Sequence, residues 1–306
     1  MGRRIPLGPS RISERTRALL SGEADPAAPR DAATVILLRP DAAGMPEVFL
    51  LRRSMGMAFA PGAHVFPGGS VDAGDLDAAV PWSGPSAEEF GARLGVAPDR
   101  ARALVCAAVR ETFEECGVLL AGPDRAVPDD REPGASRPDV GWESDRRALA
   151  AHELSLAQVL RHRGLVLRAD LLTPWARWIT PVAEPRRYDT FFFVAVLPAG
   201  QEASVNAAEV VPPGQDESVN ALDGVSRREE ADAAAWSTPQ AALSDARAGA
   251  AVLLPPTAVC LGQLAEGGQV SAIAAQLRHV FPLCPTVTEA EGRIWLTIPE
   301  EVDYPL

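Results

Sequence analysis

The sequence has no lysine: all 29 basic side chains are arginine. That absence excludes a phosphate-loop lysine, a Schiff-base lysine and a kinase-type lysine together. Phosphate recognition is left to arginine, backbone N–H groups or a metal ion. Cysteine is scarce, and Cys106, Cys116, Cys260 and Cys284 show no short paired spacing, so neither a zinc knuckle nor a disulfide framework is indicated. They read as buried thiols in a reducing compartment. No apolar run approaches the length of a membrane span. Pro6, Pro9, Ser13 and Glu14 interrupt the apolar core that a signal peptide needs, so a cytoplasmic location without a membrane partner is expected.

What is present is a globular composition, 47% hydrophobic and 23% charged over 306 residues, enough to bury a substantial core. The formal net charge of −12 repels a nucleic-acid backbone, so no nucleic-acid partner is expected. A phosphate-bearing substrate would meet the same repulsion unless carboxylate-held divalent cations offset it locally.

Thr34–Leu38 and Val48–Leu51 read as strands joined by a turn through Pro40–Gly44. Phe59–Gly69 reads as a strand entering a tight loop, and a short helix is expected near Ala87–Leu94. Pro98 opens the most helical segment, which Gly117 should end. Ser144–His162 reads as one amphipathic helix after an exposed loop over Ala121–Gly141. Strands are expected at Trp175–Thr180 and Tyr188–Leu197, followed by a polar loop to about Glu230 and a short apolar run, Ala234–Trp236. Helices near Pro239, Thr257–Leu264 and Ser271–His279 then precede a strand at Ile294–Ile298. Strands and helices mix without βαβ alternation, which favours an α+β or layered α/β/α domain over a doubly wound one.

The segment from Pro98 carries the chemistry. Val105, Val109, Thr112 and Cys116 share one helical face, and Glu111, Glu114 and Glu115 group on another. A solvated acidic face is the bland alternative. Acidic residues in a helix's last turn oppose its dipole, however, so stability does not account for them. Oxygen-only donors of this kind suit Mg²⁺ or Mn²⁺, with Arg110 available to hold a carboxylate in position.

The run Arg110-Glu111-Thr112-Phe113-Glu114-Glu115-Cys116-Gly117-Val118, with Phe66-Pro67-Gly68-Gly69 as lead-in, resembles the signature of the Nudix hydrolases. Asp75 stands where that family has a glutamate, and 34 residues separate it from Arg110, as in a subgroup with an enlarged box resembling the peroxisomal coenzyme A diphosphatases. Trp178–Pro181, Arg186–Thr190 and Pro255–Thr257 extend the likeness. The resemblance implies an α/β/α sandwich with a mixed sheet, a helical insertion at about residues 76–98 and C-terminal helices. Residues 1–31 would form a flexible arm, 32–265 the hydrolase domain, and 266–306 a packed extension. It further implies Mg²⁺ or Mn²⁺ bound by Glu111, Glu114 and Glu115, a catalytic set of Arg110, Glu111 and Glu115, and tight turning at Gly68 and Gly69 beside the substrate. Asp75 would support the helix.

Arg186 and Arg187 are candidates for an anionic substrate group or, equally, for organising a loop with Glu184 or Asp189. Glu230 is a weaker site candidate, His64 reads as structural, and Phe191–Phe193 reads as core. Three functions are compatible with these residues. The first is cleavage of coenzyme A or acyl-coenzyme A, supported by Leu50-Leu51 and Arg53-Ser54 placed before Gly62, although Ala58 and Ala63 depart from that motif. The second is cleavage of another nucleoside diphosphate derivative. The third is a nucleotide-sensing regulator, which the intact carboxylates disfavour. A homodimer is compatible with all three.

Overall fold

The computed structural model describes residues 3–7, 14–57, 60–124, 141–204, 231–290 and 293–306. In chain order the first elements are β1 (Arg4–Pro6), α1 (Glu14–Ser21), β2 (Arg30–Pro40), β3 (Pro46–Arg53), β4 (Ala63–Val65), β5 (Gly68–Ser70) and β6 (Trp82–Ser83). Next come α2 (Ala87–Leu94), α3 (Pro98–Cys116), β7 (Ala121–Gly122), α4 (Trp142–Ala150), α5 (Leu156–Arg163), β8 (Val166–Arg168), β9 (Thr173–Ile179) and β10 (Tyr188–Val196). The chain continues with β11 (Ala231–Ser237), α6 (Pro239–Arg247), β12 (Val252–Leu253), α7 (Pro255–Glu266), α8 (Val270–Ala274), β13 (Pro282–Leu283), β14 (Thr286–Ala290) and β15 (Arg293–Thr297).

The central sheet runs β12-β4-β3-β2-β10-β9-β13, with β11 on the far edge of β3 and β5 on β2. It is mixed, since β2 and β10 run parallel to each other while β9 runs antiparallel to β10 and β3 antiparallel to β2. Alternation along each strand sorts the core into two layers. Ala33, Val35, Leu37, Phe191 and Phe193 pack toward α3, whereas Ile36, Leu38, Phe192 and Val194 pack toward α7 and α8. Helices therefore cover both faces, an α+β architecture in three layers.

One irregularity builds the site. β2 and β3 pair only over Leu38–Pro40 and Pro46–Val48, then part. Within the opening, β4 pairs with β3 at Leu51 and Arg52, and β5 pairs with β2 at Ala32–Thr34. Phe66 and Pro67 link the two short strands, so the glycine pair lies in the split beneath α3.

Several expectations need correction. Within the N-terminal arm, Arg4–Pro6 pairs with Trp295–Thr297, and Leu7 and Leu20 pack on Val287 and Ile294. Within residues 76–98, Val80, Phe90 and Leu94 are buried in the same core as α3, and the short helix expected near Ala87–Leu94 is α2. The helix expected over Ser144–His162 is two, α4 and α5. Ser155 starts the second by accepting from the Gln158 N–H while Gln158 returns a bond to the Ser155 N–H. Helix α8 stops at Ala274, well short of His279, and Leu277 and Phe281 are exposed. Nor does α3 have a solvated acidic face. Every residue from Ala103 to Glu114 is buried, because the loop from Gly68 to Asp75 covers the carboxylate side. Of the thiols, Cys106, Cys116 and Cys260 are buried, and Cys284 is partly exposed. Most of the loop 121–141 and the polar loop before Ala231 lie outside the described residues.

Candidate active site

Helix α3 starts with Pro98 at a position where a missing N–H costs nothing and ends on Gly117, whose left-handed φ of 71° lets its N–H reach the Phe113 carbonyl. Its C-terminal end is held from outside. Arg146 of α4 donates from Nε to the Glu114 carbonyl and from a terminal nitrogen to the Glu115 carbonyl, both at 2.9 Å. This guanidinium satisfies two carbonyls of the last turn and opposes the negative end of the dipole. Trp142 adds a bond from Nε1 to the Gly117 carbonyl at 3.0 Å. No local sequence pattern marks Arg146, since its partners are 31 and 32 residues away.

Gly68 is required by backbone contact, and Gly69 leaves the space the Glu111 carboxylate fills. A β-carbon on Gly68, whose φ is 156°, would lie 2.7 Å from Thr34 Cα. A β-carbon on Gly69 would lie 2.6 Å from Glu111 Cδ and collide with its Oε1. The Gly68 N–H donates to Glu115 Oε2 at 2.7 Å. Glu111 and Glu115, one helical turn apart, are thus seated against two consecutive backbone units in the sheet split.

Arg110 is the hub. Its Nε and one terminal nitrogen grip the two oxygens of Asp75 at 2.9 and 2.8 Å, and the latter nitrogen also donates to the Ser70 carbonyl at 2.9 Å. The other terminal nitrogen reaches Glu111 Oε1 at 2.8 Å, Glu114 Oε1 at 3.3 Å and Asp72 Oδ2 at 3.7 Å. Burial alone would lower the Arg110 pKa, but its hydrogen bond to Asp75 and the charges of Glu111, Asp75 and Glu114 outweigh it and raise the value. The guanidinium stays charged. Asp75, 1% exposed, also accepts from the Asp72 N–H at 2.8 Å, so Arg110 ties α3 to the loop after the glycines.

Other expected residues sit elsewhere. Arg187 donates to the carbonyls of Thr180 and Ala27 at 3.0 and 2.9 Å, which makes it a brace between segments, and Arg186 is exposed. His64 pairs with Arg52 across β3 and β4, and burial and the Arg52 charge lower its pKa. The charges that raise it, Asp245 and Asp232, belong to α6 and β11. The histidine that approaches the carboxylates around Arg110 is His152, with Nδ1 3.9 Å from Asp72 Oδ2. Burial pushes the thiols of Cys106, Cys116 and Cys260 up to about 12, which removes them as nucleophiles at neutral pH. Glu230 lies outside the described residues. Asp189, read as a possible partner of Arg186 or Arg187, instead anchors the other end of α3: it accepts from Arg100 of α3 at 2.7 Å and from Arg177 of β9 at 2.9 and 2.7 Å.

A family profile described as the NUDT19 Nudix domain matches residues 86–264, more than half the chain. The chain belongs to this Nudix family. The matched span contains α3, β9 and β10, and its members are hydrolases. A protein named acyl-coenzyme A diphosphatase NUDT19 from Xenopus laevis is 25% identical over 296 residues, covering 85% of this chain and 71% of that protein. Its human namesake is 31% identical over 224 residues, with 59% of each covered. Among solved structures, a Nudix hydrolase from Alicyclobacillus acidocaldarius aligns at a TM-score of 0.60 and 25% identity, over 83% of this chain and 98% of that one.

Nudix hydrolases need divalent metal ions, and the residues present suit one. The donors are hard carboxylate oxygens, as Mg²⁺ and Mn²⁺ prefer. The missing β-carbon of Gly69 leaves a cradle that the Glu111 carboxylate fills beside the backbone. Arg110 draws Asp72, Asp75, Glu111 and Glu114 together around one side chain. Among the described residues no three such side chains converge into a finished cage, since Arg110 stands between Glu111 and Glu114.

Proposed function

We propose that this Nudix hydrolase cleaves the diphosphate of coenzyme A or an acyl-coenzyme A, using Mg²⁺ or Mn²⁺ held by Glu111, Glu114 and Glu115. The observation that carries the chemistry is the seating of Glu111 and Glu115 against Gly69 and Gly68, which gathers carboxylates at a backbone that can approach a diphosphate closely. The substrate class rests on the names of the frog and human relatives. When bound, the divalent ion would polarise a phosphate oxygen and lower the proton affinity of a water.

Each residue then has a role. Glu111 orients the attacking water, while Arg110, anchored by Asp75, fixes the Glu111 carboxylate. Glu115 is steadied by the Gly68 N–H. The water oxygen bonds to one phosphorus, the bridging P–O bond breaks, and coenzyme A yields 3′,5′-ADP and 4′-phosphopantetheine. Arg186, exposed where Arg187 is committed to two carbonyls, meets the anionic end of the substrate. The buried, protonated thiols suit the reducing cytoplasm, and the net charge of −12 argues for a small-molecule substrate over nucleic acid.

A second reading, cleavage of ADP-ribose or another nucleoside diphosphate derivative, is favoured by Ala63, where the coenzyme A motif has glutamine. Specificity constants on coenzyme A, its dephospho form and ADP-ribose separate the two. Removing the 3′-phosphate should cost roughly ten- to a hundredfold, a loss that Arg186→Ala should erase. Equal rates on the first two substrates, with faster ADP-ribose cleavage, would favour the second reading.

A further inference from the structure

His152 occupies a backbone position that usually belongs to glycine. It follows α4 with a φ of 57°, in the left-handed region, and its N–H bonds to the Leu149 carbonyl at 2.9 Å while the Glu153 N–H returns to Ala148 at 2.8 Å. This is the closing turn of a helix, where a side chain with a β-carbon costs stability and glycine does not. Arg146 clamps the same helix to the last carbonyls of α3, so the position of His152 is fixed relative to the carboxylates. Its side chain is 65% exposed, and Nδ1 faces Asp72, whose Oδ2 lies 3.7 Å from Arg110. Backbone strain of this kind persists where the surroundings hold it, and it clusters at functional sites.

We propose that His152 is a substrate contact at the rim of the carboxylate site, an inference that rests on the site reading above. Asp72 Oδ2 stands 3.9 Å from Nδ1, an ion-pair distance too long for a hydrogen bond. The largely exposed ring therefore offers its nitrogens to the substrate as hydrogen-bond partners, either for a ribose hydroxyl or for an amide group. The role is specificity: the ring holds no reacting atom.

The test compares wild type with His152→Gly and His152→Asn, both of which tolerate the left-handed backbone. His152→Gly should melt about 1–4 °C higher. Its kcat/KM should nevertheless fall about tenfold, mainly through KM, the size of one lost hydrogen bond. His152→Asn, with a shorter hydrogen-bonding side chain, should fall between. A loss shared by coenzyme A and ADP-ribose assigns the contact to the ribose, and a loss confined to coenzyme A assigns it to an amide. An unchanged kcat/KM in His152→Gly overturns the proposal, as does a parallel drop in melting temperature and activity, because then the ring only supports the fold. Glu115→Gln, assayed alongside, keeps the two claims apart: if it retains wild-type turnover, the carboxylate reading fails on its own account.

Discussion

The two ends of α3 are fastened to the sheet by the same chemistry with opposite balance. At the N-terminal end Arg100 bridges Asp31 and Asp189, and Arg177 completes the set, so two guanidinium groups meet two carboxylates. Both arginines also lie over the Phe191 ring. Toward the C-terminal end a single guanidinium, Arg110, contacts four carboxylates. Matched charges of this sort anchor a helix. A cluster richer in carboxylate than in guanidinium suits the divalent cation proposed above. The N-terminal cluster therefore reads as a hinge pin for the helix and the C-terminal one as the working end.

Two substitutions sharpen that contrast. The larger effect is expected from Arg110→Met, which leaves buried carboxylates facing one another. It should lose about 3–5 kcal/mol of stability and nearly all turnover. Chemical denaturation with parallel rate measurements checks it, and a stable, active variant would remove Arg110 from the centre of the account. Asp189→Asn should cost less, about 1–3 kcal/mol, and should leave the metal dependence of turnover unchanged.

The second variant also predicts a pH dependence. Burial would raise the Asp189 pKa, but its bonds to Arg177 and Arg100 hold it below the ordinary carboxylate value. A carboxyl depressed in the folded state contributes stability that is complete above the unfolded pKa of about 3.9 and is lost as pH falls toward the folded one. Wild type should therefore lose stability faster than Asp189→Asn below about pH 4. Identical slopes would show that the pair is not linked to folding, and a collapse of turnover in a folded Asp189→Asn would break the division between the two ends.

The sequence carried the framework of the site because local signals and spatial partners coincide there. Pro98 and Gly117 mark the bounds of α3, the apolar runs Thr34–Leu38 and Phe191–Phe193 lie in central strands, and Gly68 and Gly69 lie directly under the carboxylates. What was not legible depends on partners far along the chain. The interruption between Asp75 and Arg110 reads as an insertion in a motif, yet Phe90 and Leu94 are fully buried against α3. A helix of eight residues gives no sign of which surface its apolar side will find. His64 stands beside the glycine loop in sequence but lies opposite Arg52, while His152 comes within 3.9 Å of Asp72 from a helix that Arg146 fastens to α3. Arg187 reads as an anion binder by residue type and instead braces two carbonyls, a role that no spacing rule reveals.

The central claim is that the carboxylates at the C-terminal half of α3 serve catalysis. Its most direct test is to measure, for Glu114→Gln and Glu115→Gln, both turnover with Mg²⁺ or Mn²⁺ and the melting temperature without added metal. The account predicts a turnover loss of at least ~100-fold, with melting temperatures at or near that of wild type. Near wild-type turnover in both variants, or unfolding that accounts for the loss, would contradict it.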